Sequence, residues 1–284
     1  MKHSHVLPTV VCVHYPSGVL FAYNCRWKEC GVKLQQRSRV PAALLAMQPP
    51  VFRPRDVDFW NNPTKELMRL SAAGVVASPL HGYYVVVPAG RVGDRSWRPT
   101  IEGFALALAQ RVTNLDSAAL MDVSAARLSG ALPRAVGTAV VAVDVQRRSL
   151  QTNWGDVIFV SRDVGALDLQ RVDTDLIAGW MTTIEQTILD VAERPRLGGL
   201  DAHSVSEVIV ALGSRADWDT VADLARRQKR RAAFARARWV ADPVIGSDAP
   251  MPPRPSHRDR YADSMGLQPP QPRQPMLFGV AEVE

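Results

Sequence analysis

Apolar positions between Pro41 and Pro88 predict two short helices, a longer helix and a β-hairpin. Pro41–Met47 is apolar and predicts a short helix. It closes at Gln48-Pro49-Pro50, because a proline pair cannot continue a helix. Arg53-Pro54 then opens a second short helix, with proline at its first position. The third helix has the clearest signals. Asn62 can cap it, Pro63 sits where a missing N–H costs nothing, and Gly74 can take the left-handed conformation that ends it. Pro63, Leu67, Leu70 and Gly74 share one side at a 3.6-residue period. Lys65, Met68, Arg69 and Ala72 share the other, which reads as small and basic rather than acidic. Val75–Ser78 and Tyr83–Val87 are apolar runs around Pro79-Leu80-His81-Gly82, a hairpin signal.

Three helices and a hairpin in this order predict an N-terminal winged helix-turn-helix. In that module the third helix enters the major groove and the hairpin lies along the backbone. The groove is about 12 Å wide and admits a slim cationic helix. Lys65 and Arg69 are the candidate groove contacts. Thr64 and Asn62, at the helix start, can reach a phosphate. Arg53 and Arg55 can grip the backbone beside the second helix, and His81 stands at the hairpin tip. The plainer alternative for each is a solvated surface.

Ala89–Pro99 is rich in Gly, Arg and Pro and predicts a linker, with Trp97 pinning it to a neighbouring surface. Beyond it the pattern predicts a mixed α/β domain. Helices are expected at Ile101–Val112 and Ser117–Gly130, the second broken near Asp122, capped by Ser124 and ended by Gly130. Strands are expected at Ala139–Val145, Asp156–Val160, Leu167–Val172 and Leu176–Met181. A helix follows from Thr183, whose spacing to Gln186 matches a capping box; Glu185 and Asp190 read as surface carboxylates. Helices at Ser204–Leu212 and Thr220–Trp239 complete the domain. The last buries Val221, Leu224, Ala225, Ala232, Ala235 and Trp239. Its other side carries Arg226, Arg227, Lys229, Arg230 and Arg231, with Arg236 and Arg238 beyond. That is a solvated face or a second basic surface. The expected fold class is therefore α+β, with an extension at 1–38, the winged domain at 39–88, a linker at 89–99, the α/β domain at 100–242 and a disordered, proline-rich tail at 243–284.

The formal net charge of +6 over 284 residues favours an acidic partner such as nucleic acid. Five of the 34 basic residues are lysine, a bias that a GC-rich genome explains without selection for phosphate forks. Three cysteines, Cys12, Cys25 and Cys30, argue for a reducing compartment and against a disulfide framework. With His3, His5 and His14 they invite a zinc reading, but no second pair follows at finger spacing. No apolar run is long enough to span a bilayer and no leader pattern is present, so a cytoplasmic protein without membrane contact is expected. Enzyme motifs are missing. There is no GxxxxGK[ST], HExxH or GxSxG, and no acid stands two residues before a lysine. Asp173-Thr174-Asp175 lacks the Gly-Ser turn of a nucleotidyltransferase. No catalytic residue, metal or cofactor is expected.

LMRLSAAGVV…HGYYVVVP, WRPTIEGFALALA, LMDVSAARLSGALPRA, DVIFVSRDV and WMTTIEQTILDVAERP resemble the antitoxins of abortive-infection type E, or type IV, toxin–antitoxin systems. The resemblance covers Arg39–Ala241. It implies a winged-helix domain, an α/β domain, repression of the protein's own operon through an inverted repeat, and antagonism of a nucleotidyltransferase toxin encoded beside it, with or without direct contact. Within the SAARLSGALPRA stretch, Arg127 and Arg134 are candidate anion contacts. The rival expectation is a non-catalytic interaction module whose basic winged domain docks an acidic protein.

Overall fold

The computed structural model describes residues 41–113 and 117–245. The expected extension at 1–38 and the tail from residue 246 onward lie outside the described residues. Those described belong to one compact unit and form a mixed α+β structure with two sheets.

The first part of the chain runs α1 (Ala42–Leu45), β1 (Val51–Phe52), a 3-10 turn at Pro54–Asp56, α2 (Pro63–Ala72) and the hairpin β2 (Val76–Leu80) and β3 (Tyr83–Val86). The strands pair antiparallel in the order β1-β3-β2. The expected second helix is thus a single 3-10 turn. Pro54 starts it, and the Asp56 carboxylate folds back to accept the Arg53 amide at 2.7 Å, which closes the turn.

Two-residue periodicity gives the small sheet two apolar faces. Phe52, Tyr84 and Val86 join Leu44, Val57, Leu67 and Leu70 in a core under α2. Val51, Tyr83 and Val85 face the other way and pack with α3 (Ile101–Val112). That double burial explains the run of five apolar residues from Tyr83 to Val87.

The expected linker is tied down rather than loose. It carries a 3-10 turn at Ala89–Arg91. The Gly93 amide donates to the Gly74 carbonyl at 3.0 Å, and Arg95 donates to the carbonyl of Ala72. Gly74 has φ +68°, and a Cβ there would lie 2.9 Å from the Gly93 Cα. Only glycine meets both demands. Trp97 packs edge-on against Trp154, with ring centroids 6.4 Å apart, as its apolar bulk suggests.

α3 is the axle of the fold. Every residue from Ile101 to Gln110 is buried, because one side meets the small sheet and the other a six-stranded sheet. That sheet has the order β6-β7-β5-β4-β9-β8, from β4 (Ala118–Leu120), β5 (Thr138–Val143), β6 (Leu150–Thr152), β7 (Gly155–Ser161), β8 (Leu169–Asp173) and β9 (Ala178–Thr182). β4 and β9 are parallel, as are β5 and β7; the other neighbours are antiparallel. Gly179 lets α3 approach β9, since a Cβ there would lie 2.9 Å from a Leu106 methyl.

The opposite sheet face is covered by α4 (Asp122–Leu128), α5 (Ile184–Glu193), α6 (Ala202–Gly213), α7 (Trp218–Arg227) and α8 (Arg231–Ala241). Three expectations are corrected here. The stretch from Ser117 is a strand before it is a helix: Ala118 and Leu120 face α3 while Ala119 and Met121 face α4 and its neighbours. Ser124 is not a cap; inside α4 its hydroxyl accepts the Val140 amide at 2.8 Å and fastens helix to sheet. The helix expected at Thr220–Trp239 is two helices, α7 and α8, separated at Lys229, whose φ is +58°. The break shifts the phase, so Ala233, Phe234, Ala237 and Val240 are buried while Ala232 and Trp239 are exposed. A last 3-10 turn at Asp242–Val244 ends the described chain.

Candidate nucleic-acid interface

α2 forms for the reasons its sequence gives. The Asn62 side chain accepts the Lys65 amide at 3.1 Å, and Pro63 occupies the first helical position. At the far end the Gly74 amide donates to Ser71 and the Val75 amide to Leu70, a Schellman closure. Leu67 and Leu70 are buried. Asn62, Thr64, Lys65, Met68, Arg69 and Ala72 are exposed.

This outer face is less basic than the spacing suggests. Glu66 stands at its rim and accepts from Arg69 Nε at 2.9 Å. The pair is a solvated i,i+3 contact worth at most about 1 kcal/mol, so a phosphate can displace the carboxylate. Met68 is 64% exposed and adds an apolar centre to the face.

His81 is exposed in a tight two-residue turn with Gly82, whose φ is +77°. Pro79 and Leu80 belong to β2 rather than to the turn. The tip is not free-standing: the Asn153 amide, in the β6–β7 turn, donates to the Pro79 carbonyl at 2.9 Å.

Arg53 and Arg55 open onto a cleft of about 340 Å³ lined by Arg53, Arg55, Asp56, Arg111, Val112 and Arg147. The Arg53 guanidinium stacks on the Tyr83 ring, 4.2 Å from its centre. Burial, then repulsion from Arg55, holds its pKa below the ordinary arginine value; Asp56 opposes the shift and Arg111 adds to it. Arg111 comes from the last turn of α3 and meets Asp56 with Nη2 at 2.8 Å and Nε at 3.2 Å. Arg147 lies in the β5–β6 loop and donates to the Val112 carbonyl at 2.9 Å. Arg111 and Arg147 carry no sequence signal that would group them with Arg53. They lie 58 and 94 residues further along the chain, and only the docking of α3 and the β5–β6 loop beside the 3-10 turn joins them.

The second basic surface is smaller than expected. Arg226, Arg227, Lys229 and Arg231 are exposed, with Arg226 paired to Asp223. Arg230 is not part of it. Its side chain is 6% exposed and its guanidinium lies against Asp190, with Glu193 3.5 Å away. Arg238 is also buried and pairs with Asp242 at 2.7 Å. Arg236 donates to the Ala192 carbonyl at 2.8 Å.

Arg230 completes a buried polar network. Asp190, expected on the surface, is buried in α5; its Oδ1 accepts from Arg230 and from Gln186 Nε2, the latter at 3.1 Å. Gln228 donates to Gln186 Oε1 at 2.6 Å. Arg162 meets Glu193 at 2.6 Å. Thr183 caps α5, but Gln186 points into this network instead of back to the cap, so only half of the capping box forms. Glu185 accepts the Asp217 amide at 3.1 Å, which orders the start of α7.

Asp122 is electrostatically strained. Its backbone has φ +53°, its Oδ1 accepts the Val123 amide at 2.7 Å, and its Oδ2 is buried without a partner. Burial, then the charge of Asp190, pushes its pKa up to about 7. Asp190 itself is pushed upward by burial and pulled back by Arg230. Arg127 pairs with buried Glu102 at 2.7 Å and Arg134 reaches Ser204 Oγ at 2.5 Å; both act as struts in this structure.

Among the described residues no helix is long and apolar enough to cross a membrane. No protein-family model matches the chain, and no curated protein matches it either.

Proposed function

We propose that this protein is a DNA-binding regulator of the type IV antitoxin kind, which represses its own operon and antagonises a nucleotidyltransferase toxin. One observation carries the reading. The chain order helix, strand, turn, helix, hairpin and the sheet order β1-β3-β2 put α2 on the outside of a small sheet. There it offers Thr64, Lys65 and Arg69 to solvent. On this reading α2 is the third helix of a winged helix-turn-helix, which lies in the major groove; a four-residue helix and a 3-10 turn stand where that module has its first two helices. Lys65 and Arg69 meet the duplex, Asn62 and Thr64 sit beside a phosphate at the helix start, and His81 follows the backbone from the hairpin tip. An inverted repeat in the operon's own promoter is the expected target. The cytoplasm is the expected compartment.

Lys65→Ala with Arg69→Ala is expected to weaken binding to promoter duplex and to flatten its salt dependence. Each phosphate that is no longer neutralised reduces the log–log slope by about 0.9. A mobility shift identical to wild type across a salt series removes α2 from the interface.

A second reading has its own support. The exposed Met68 and the Glu66–Arg69 pair give α2 a mixed surface, which also suits a protein partner. Toxin binding that disappears in Met68→Ala, together with unchanged DNA affinity, favours this reading.

A further inference from the structure

The cleft at Arg53, Arg55, Arg111 and Arg147 is more organised than a patch of surface charge. Three of its four guanidinium groups are held from behind. Tyr83 supports Arg53, Asp56 supports Arg111 through two hydrogen bonds, and the Val112 carbonyl supports Arg147. Arg55 is exposed and has no ion-pair partner among the described residues. Asp56 is the only acid in the lining, and its charge is taken up by Arg111 and by the Arg53 amide. The cleft therefore keeps a surplus of positive charge, with three of its four guanidinium groups at fixed positions. Planar guanidinium forks fixed in advance suit the oxygens of a phosphoryl group, and little ordering entropy is lost on binding.

We infer that this cleft is a binding site for a phosphoryl anion, of the size of a pyrophosphate or the phosphate chain of a nucleotide. A volume of about 340 Å³ lies in the range of small-molecule sites. The cleft is recessed, and a wall from each part of the fold lines it: the 3-10 turn beside α2, the end of α3, and the β5–β6 loop. A duplex backbone meets rims more readily than recesses, so a free phosphorylated molecule fits the cleft better. This inference does not rest on α2 touching DNA.

The test uses the full-length protein and inorganic pyrophosphate, titrated to about 10 mM and followed by calorimetry and thermal shift. Wild type is expected to bind saturably and to gain thermal stability. Arg55→Ala with Arg147→Ala is expected to weaken binding at least roughly tenfold, since each charge-assisted hydrogen bond contributes that much. Both side chains are exposed, so the unliganded variant should lose no more than the Arg147–Val112 hydrogen bond, about 1 kcal/mol. Arg55→Lys with Arg147→Lys checks this point: it keeps the charge, loses the fork, and should bind at an intermediate level. Absence of saturable binding in wild type overturns the site, as does binding unchanged in the double alanine variant. Promoter duplex added to the pyrophosphate complex separates the two sources of phosphate. Simultaneous binding assigns the cleft to a free ligand, and mutual displacement assigns it to the duplex backbone. The Lys65/Arg69 double variant should lose duplex and keep pyrophosphate, which separates failure of this site from failure of the α2 reading.

Discussion

Single residues carry the largest electrostatic debts of this fold, and Asp122 is the clearest. Its carboxyl is buried, and burial together with Asp190 raises its pKa to about 7, against roughly 3.9 in an unfolded chain. The folded state therefore holds this proton more tightly than the unfolded one. The stabilisation is fully present below about pH 4 and is lost as pH rises through about 7. The difference amounts to roughly 4 kcal/mol if Asp122 titrates alone. Asp190 adds a slope of the same sign, damped by Arg230, Gln186 and Arg162. Asp122→Asn keeps the shape and removes the titration. Denaturant midpoints measured from pH 4 to pH 8 should then fall less steeply than in wild type, and the variant should be the more stable at pH 8. A wild-type slope retained in the variant contradicts this account of Asp122.

Elements follow from short-range rules where the rules have named residues to act on. Asn62, Pro63 and Gly74 bound α2, and the structure places all three in those roles. Asn62→Ala should lower stability by about 1 kcal/mol, seen as a shifted denaturant midpoint with an unchanged slope. Lys65→Ala with Arg69→Ala, being exposed, should leave that midpoint close to wild type. α3 is legible from its apolar spacing at Phe104, Leu108 and Val112; its cap, the Thr100 hydroxyl that accepts the Gly103 amide at 3.2 Å, is seen in the structure. β5 is legible from its β-branched run. β4 is not, because three residues cannot show a period and Ala118-Ala119-Leu120 suits a helix as well. The α7–α8 break is not legible either. The Arg230 amide donates to Ala225 at 2.8 Å and the Lys229 amide to Arg226 at 3.3 Å, a Schellman closure with lysine where glycine usually stands. A lysine at positive φ costs about 1–2 kcal/mol. The turn it makes delivers Arg230 to Asp190, a pairing between residues 40 apart that no local pattern encodes. The candidate cleft is half legible for the same reason: Arg53 and Arg55 adjoin a recognisable turn, whereas Arg111 and Arg147 reach it only through tertiary packing.

At the scale of the molecule, the small sheet and the large sheet share α3. Tyr83 and Val85 pack with it from one side, and Leu120, Val141 and Met181 from the other. The described residues at 41–88 and from 100 onward are therefore joined by a continuous core and not by residues 89–99 alone. Thermal unfolding should be a single cooperative step, with near- and far-ultraviolet circular dichroism giving coincident curves and calorimetric and van't Hoff enthalpies in agreement. Two resolved transitions show that the shared core does not couple the segments.

The helix at 101–112 also sets a schedule for synthesis. Ile101 to Gln110 are all apolar or enclosed, and much of their cover is strand made later, as late as Ala178–Thr182. While the ribosome adds the intervening stretch, this greasy rod has the small sheet to shelter one flank. Nascent chains are therefore most exposed to mispairing and to chaperone capture before the ninth strand emerges.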